Sequence, residues 1–168
     1  SVDPDELELV YSVFEVELYI AFSKGTPEKV VTQWQNTLDD IKRDGTFEKI
    51  SRKWLPEDSI PKLLPETEAT RGHPVDLKIY TEDSPPANYQ DRGKISGLSV
   101  EIVRDILRRL NMPNNIEVVP WARGYTLALT QPNVALFSTT RLPRREKQFK
   151  WVGPLYTQHW GFYGKVGS

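Results

Sequence analysis

The chain has 168 residues, 38% hydrophobic and 27% charged, which suits one packed domain and argues against disorder. Its formal net charge of -1 gives no bulk electrostatic reason to expect nucleic acid or an anionic membrane as a partner. The absence of cysteine removes disulfides, thiolate nucleophiles and cysteine-based metal sites, and the two histidines, His73 and His159, lack metal-ligand spacing.

No apolar run approaches the roughly 20 residues needed to span a bilayer. No signal peptide opens the chain, so any export signal is expected to lie outside it. The first periodic stretch, Val10 to Phe22, is rich in β-branched and aromatic residues. It predicts strand, as one piece or as two around Glu15. A helix start follows, with Thr26 as the expected N-cap, Pro27 at the first helical position and Glu28 at the positive end of the dipole. Val30, Trp34, Leu38 and Ile41 recur at helical spacing and predict a buried face. Gly45 suits a left-handed position. Thr46 is the expected cap of a second short helix with Phe47, Ile50 and Trp54 on its apolar side.

Residues 56–74 carry four prolines (at 56, 61, 65 and 74) and several charges without a sustained period, which predicts a linker or surface strap in which Leu63 and Leu64 dock locally. A second α/β passage spans residues 75–168. Residues 75–82 predict a strand and residues 82–96 a long loop. Residues 97–110 predict an amphipathic helix with Val100, Val103, Ile106, Leu107 and Leu110 inward and Arg104, Asp105, Arg108 and Arg109 outward. A strand at 116–121, a short helix at 122–130 and a continuously apolar strand at 134–140 follow. Such a strand belongs in a sheet covered on both faces. Two strand-like pieces around Gly153-Pro154 end the chain. Strand–helix alternation predicts an α/β fold, a three-layer sandwich with a mostly parallel sheet. Ligands on such sheets sit at the carboxyl ends of strands, here the loops after Thr81, Pro120 and Phe137.

The loop after the fourth apolar strand runs Ser138-Thr139-Thr140-Arg141-Leu142-Pro143-Arg144-Arg145-Glu146-Lys147. Hydroxyls at a strand end, a helix start and a guanidinium one short turn later can form an anion clamp, because a guanidinium holds a carboxylate with two parallel hydrogen bonds. The alternative is a polar turn before a solvated basic helix. In the loop from Glu82 to Tyr89, stiffened by Pro85 and Pro86, a carboxylate can meet a ligand ammonium and Asn88 can accept or donate. The alternative is an ordinary turn with exposed acids. Trp121 is either a stacking wall or core, and Arg123 reaches the pocket mouth or caps the sheet surface. Glu82 and Asp83 are adjacent, so on an extended segment they face opposite ways and do not flank one substrate. No catalytic residue set, nucleotide-binding glycine loop, cofactor site or metal site is expected.

Three segments carry a family resemblance. Residues 77–110, LKIYTEDSPPANYQDRGKISGLSVEIVRDILRRL, resemble the opening of the polar-amino-acid class of bacterial extracytoplasmic solute-binding proteins, family 3. Residues 134–156, VALFSTTRLPRREKQFKWVGPLY, resemble its next stretch: a strand, Ser/Thr residues, T-P-x-R and F-x-W-x-G-P. Residues 18–56, from LYIAFSKGTPEKV to RKWLP, resemble the C-terminal end of the family, with D-G-T and K-W.

The resemblance implies one lobe of a type II periplasmic-binding-protein fold. Residues 1–55 correspond to the family's C-terminal part and residues 75–168 to its N-terminal part, joined in permuted order and lacking the second lobe. It implies that Arg145 clamps a ligand carboxylate, that Thr140 and Ser138 donate beside it, that Glu82 lies near a ligand amine, and that Trp121 walls the pocket. Leu142 stands where the family has threonine and Arg144 adds a basic residue, so the ligand is an amino acid, another carboxylate or a small polar molecule. The implied role is capture of a small polar solute in the periplasm for an ABC-type importer or a sensor, with weak binding by the lobe alone. One alternative is a lyase or dehydratase on the same fold, with Glu82 as its acid. Another is an assembly module that dimerises or exchanges strands through the aromatic stretch Trp151, Tyr156, Trp160, Phe162 and Tyr163. The chain is either the junction of tandem modules or a single permuted lobe, and the apolar faces of both pieces favour the lobe.

Overall fold

A computed structural model describes residues 7–55 and 75–165; the proline-rich segment and His73 lie outside them. The first element, β1 (Leu7–Ser23), is one strand with irregular register rather than two. After it come α1 (Glu28–Arg43), α2 (Thr46–Trp54), β2 (Lys78–Thr81), β3 (Tyr89–Asp91), β4 (Lys94–Ser96) and α3 (Leu98–Arg109). The chain continues through β5 (Ile116–Val118), α4 (Trp121–Thr130), β6 (Val134–Thr140) and β7 (Phe149–Lys165).

The main sheet has the order β5-β2-β6-β1-β7. β2 runs parallel to β5 and to β6, while β1 is antiparallel to both of its neighbours, β6 and β7. Four of the five strands therefore point one way, and β1 alone runs against them.

Side chains alternate across this sheet with the period of two that a pleated strand imposes. Ile20 and Phe22 of β1, Ile79 of β2 and Ala135 and Phe137 of β6 face one layer, built from Trp34 and Leu38 of α1, Phe47 of α2 and Val103 and Ile106 of α3. Ala21, Tyr80, Val134 and Leu136 face the opposite layer, where Ala128 of α4 and Phe149 close the core. Three layers result, and β6 is buried along all but its last residue because both of its faces are covered.

The helix starts depart from the expected caps. Thr26 does not cap α1: its N–H donates to the Ser23 carbonyl at 3.0 Å, and its buried hydroxyl lies 3.0 Å from that of Ser23. That turn delays the helix by one residue, and Pro27 takes the cap position. At α2, Gly45 takes the cap position with φ 81°, a left-handed value that costs glycine nothing. The Asp44 carboxylate accepts the Thr46 N–H at 3.0 Å, so the Thr46 hydroxyl serves as acceptor for Arg109 instead. The long loop after β2 contains a hairpin, β3–β4, turned by Arg92 and Gly93, both at positive φ as a two-residue hairpin requires.

β1 and β7 outrun the sheet. β6 pairs only with the stretch from Leu18 to Phe22 of β1, while β7 pairs along β1 from Leu7 to Ser23. The outer half of the pair is thus a two-stranded ribbon, with Tyr11, Phe14, Trp160 and Phe162 exposed. The two strand pieces expected at the end of the chain are one strand whose register shifts opposite Leu18 and Ile20, at Gly153 and Pro154.

Candidate functional site

A cleft of about 460 Å³ opens where β2, β6 and the ribbon meet. Its floor is the carboxyl end of two parallel strands, where backbone groups lose their ladder partners and loops diverge. Glu82, Ser84 and Ala87 enter from the segment after β2, and Ser138 and Thr140 from the end of β6. Leu142 and Arg145 come from the next turn. The far wall is the ribbon, with Phe14, Val16 and Leu18 on one strand and Tyr156, Gln158 and Trp160 on the other.

Arg145 does not sit on a helix. Leu142 precedes Pro143, and the proline ring disfavours helical backbone at the residue before it. The segment instead closes by successive turns: Arg145 N–H to the Leu142 carbonyl at 2.8 Å and Gln148 N–H to the Arg145 carbonyl at 2.9 Å. Arg141 braces this turn with a two-pronged pair to Glu146 at 2.8 and 2.6 Å. Its guanidinium lies 5.4 Å from the centre of the Tyr19 ring and 5.8 Å from that of Trp151.

The Arg145 guanidinium is held in place from two directions. Its Nη1 donates to the Thr140 carbonyl at 3.1 Å. Its carbon lies 5.2 Å from the ring centres of both Trp121 and Tyr125, a cation–π arrangement. Its Nε–H is buried and finds no acceptor among the described residues. No carboxylate among the described residues forms an ion pair with it. A fixed cation at the edge of a cleft, with no carboxylate paired to it, is suited to an anionic oxygen.

Ser138 adds a second unspent group. It is 9% exposed, adopts φ 59°, and its buried hydroxyl has no partner among the described residues. A left-handed backbone is uncommon for any residue but glycine, and here it falls where the register of β6 against β1 shifts, between the Tyr19–Thr139 and Ala21–Leu136 pairs. The neighbouring Thr139 points the other way, its hydroxyl donating to the Leu136 carbonyl at 3.0 Å. Glu82 is half-buried, and burial raises its carboxyl above the usual range. Burial also lifts the Tyr156 hydroxyl to about 12.

Of the residues singled out in the sequence, Arg145, Thr140, Ser138 and Glu82 share the cleft. Trp121 stands behind Arg145 as its aromatic support rather than lining the cleft. Asn88 is not brought there: it is fully buried, and its amide donates to the Glu82 carbonyl at 2.5 Å. Two backbone bonds with Ser84 close the loop it stabilises. Arg123 is exposed on α4 and does not reach the cleft. The sequence points to Tyr156 and Trp160 only as part of an assembly patch, and to Phe14, Val16 and Leu18 only as strand residues; the structure puts all five in the cleft wall. Nothing local says that residues 14–18 and 156–160 face Arg145.

Compared with protein families, residues 77–167 match the model described as bacterial extracellular solute-binding proteins, family 3. The match covers more than half of the chain, from β2 to the end of β7. No curated protein and no solved structure matches.

Proposed function

The chain belongs to the bacterial extracellular solute-binding proteins, family 3, and we propose that its cleft is one half of a site for a small carboxylate solute. The observation that carries this is Arg145, a cation lining the cleft, fixed by the Thr140 carbonyl and two rings and paired with no carboxylate among the described residues. Ser138, whose hydroxyl is unpartnered among the described residues, lies in the same wall. Thr140 contributes through its backbone, by orienting Arg145, and Glu82 closes the other side of the cleft.

The family is extracellular, and among the described residues no helix is long and apolar enough to cross a membrane. We place the protein in the periplasm, serving an importer or a sensor. The segment carrying β1, α1 and α2 lies outside the matched residues, yet β1 is an interior strand of the sheet, between β6 and β7. This supports a permuted lobe in which the first segment completes the second. An open cleft encloses a solute on fewer sides than a closed one, so affinity is weak and a facing surface is needed for tight capture.

The test is a chemical-shift titration of the chain with propionate. Saturable shifts at millimolar concentration in Ser138, Thr140 and Arg145 are expected, and Arg145→Gln weakens them at least about tenfold. Shifts that persist unchanged in Arg145→Gln would overturn the carboxylate reading.

A further inference from the structure

We infer that the cleft selects a monocarboxylate carrying an aromatic ring, with the carboxylate on Arg145 and the ring against Phe14 and Trp160 of the ribbon. This rests on the carboxylate reading and adds what the remainder of the solute must be.

The cleft is chemically lopsided. Among the described residues that line it stand one cation, Arg145, and one acid, Glu82, while the ribbon side is mostly apolar. Phe14, Val16, Leu18, Tyr156 and Trp160 make that side together with one polar residue, Gln158, and Leu142 of the turn adds a further apolar group. The Phe14 and Trp160 rings stack with centres 6.0 Å apart and planes 25° apart, and each residue is 50% exposed. Among the described residues no third strand pairs with this part of the ribbon, and half of each residue's surface remains in water. A stacked pair offers a flat face, and a third ring laid on it gains both burial and quadrupole complementarity.

Other solute classes fit less well. A two- or three-carbon carboxylate reaches Arg145 but fills little of about 460 Å³ and leaves the aromatic wall wet. A dicarboxylate places its second charge against apolar side chains or Glu82, with no further cation among the lining residues to meet it. A neutral aromatic molecule satisfies the wall but leaves the Arg145 charge without a counter-ion. Only a solute with an anionic end and a ring uses both.

The experiment is a chemical-shift titration of the full chain with 3-phenylpropionate, propionate and 3-phenylpropanamide. 3-Phenylpropionate is expected to bind at least about tenfold more tightly than either of the others, the scale set by burying one ring and by one charged hydrogen-bond pair. Trp160→Ala, and independently the milder Phe14→Leu, are expected to cut the preference for 3-phenylpropionate over propionate to about threefold or less.

Propionate and 3-phenylpropionate binding within about twofold of each other, both lost in Arg145→Gln, would overturn the ring inference and leave the carboxylate reading standing. The amide binding as tightly as the acid would overturn the carboxylate reading instead. No shifts with any of the three would overturn both. A ring preference that survives both ribbon substitutions would overturn the assignment to Phe14 and Trp160.

Discussion

At Glu82 the cost of partial burial falls on the ionised carboxyl, which is why its pKa lies above the ordinary 4.5. A carboxyl raised in the folded state favours folding while protonated, and that advantage disappears as pH rises through the folded value. Glu82→Gln keeps the shape and removes the charge. It is expected to raise Tm at pH 7 and to leave it nearly unchanged below about pH 4, where Glu82 is itself neutral in both states. Thermal melts of the two proteins at both pH values check this, and an unchanged Tm at pH 7 would count against burial as the cause. The same residue illustrates a general feature of the cleft. Glu82, Ser138 and Arg145 each carry a polar cost that the lobe's own contacts do not relieve, which is typical of groups held ready for a ligand.

Among the elements, the contact between the first helical pair and α3 is fastened by an ion-pair network. Arg109 donates to Asp105 at 2.6 Å within α3 and reaches Asp44 at 2.7 Å and the Thr46 hydroxyl at 3.1 Å across the junction of α1 and α2. Burial pushes the Asp44 carboxyl up, but hydrogen bonds from Arg109 and Thr46 outweigh it and bring the value to about 2. A carboxyl lowered on folding stabilises the protein above its unfolded value, here 3.8, and loses that contribution as pH falls toward about 2. Arg109→Met is therefore expected to cost about 1 kcal/mol at pH 7, a small figure because water screens part of the network. The deficit should shrink as pH approaches about 2. Urea unfolding at pH 7, 4 and 2.5 measures it, and a deficit independent of pH would assign the effect to lost packing of the arginine stem.

For the molecule as a whole, the decisive placement is β1. It belongs to the first segment but stands between β6 and β7 of the second, and its Ile20, Ala21 and Phe22 are fully buried. Residues 75–168 alone would have β6 and β7 unbridged, and the sheet face over Phe137 would lose Trp34 and Leu38. That fragment is expected to lack a folded spectrum, and adding a separate peptide of residues 1–55 should restore one. Mixing the two at micromolar concentration and recording amide dispersion tests the proposal. A fragment that is well folded by itself would favour two independent modules.

Much of this architecture is legible in local chemistry. The helical spacing of Val30, Trp34, Leu38 and Ile41 and the unbroken apolar run of β6 each report one element's burial, because side-chain period follows backbone geometry. The caps were less legible. Thr26 and Thr46 have the right chemistry, but Ser23 and Arg109, distant in role or in sequence, claim their hydroxyls.

The α/β class, the family and the basic and hydroxyl residues after β6 follow from the residues alone, since these depend on composition, period and short motifs. Only the tertiary structure decided that Arg145 rests on Trp121 and Tyr125, that Asn88 turns inward, and that the ribbon walls the cleft. The physical reason is sequence separation. Phe14 meets Trp160 across a strand pairing that spans nearly the whole chain, and no local preference encodes such a contact.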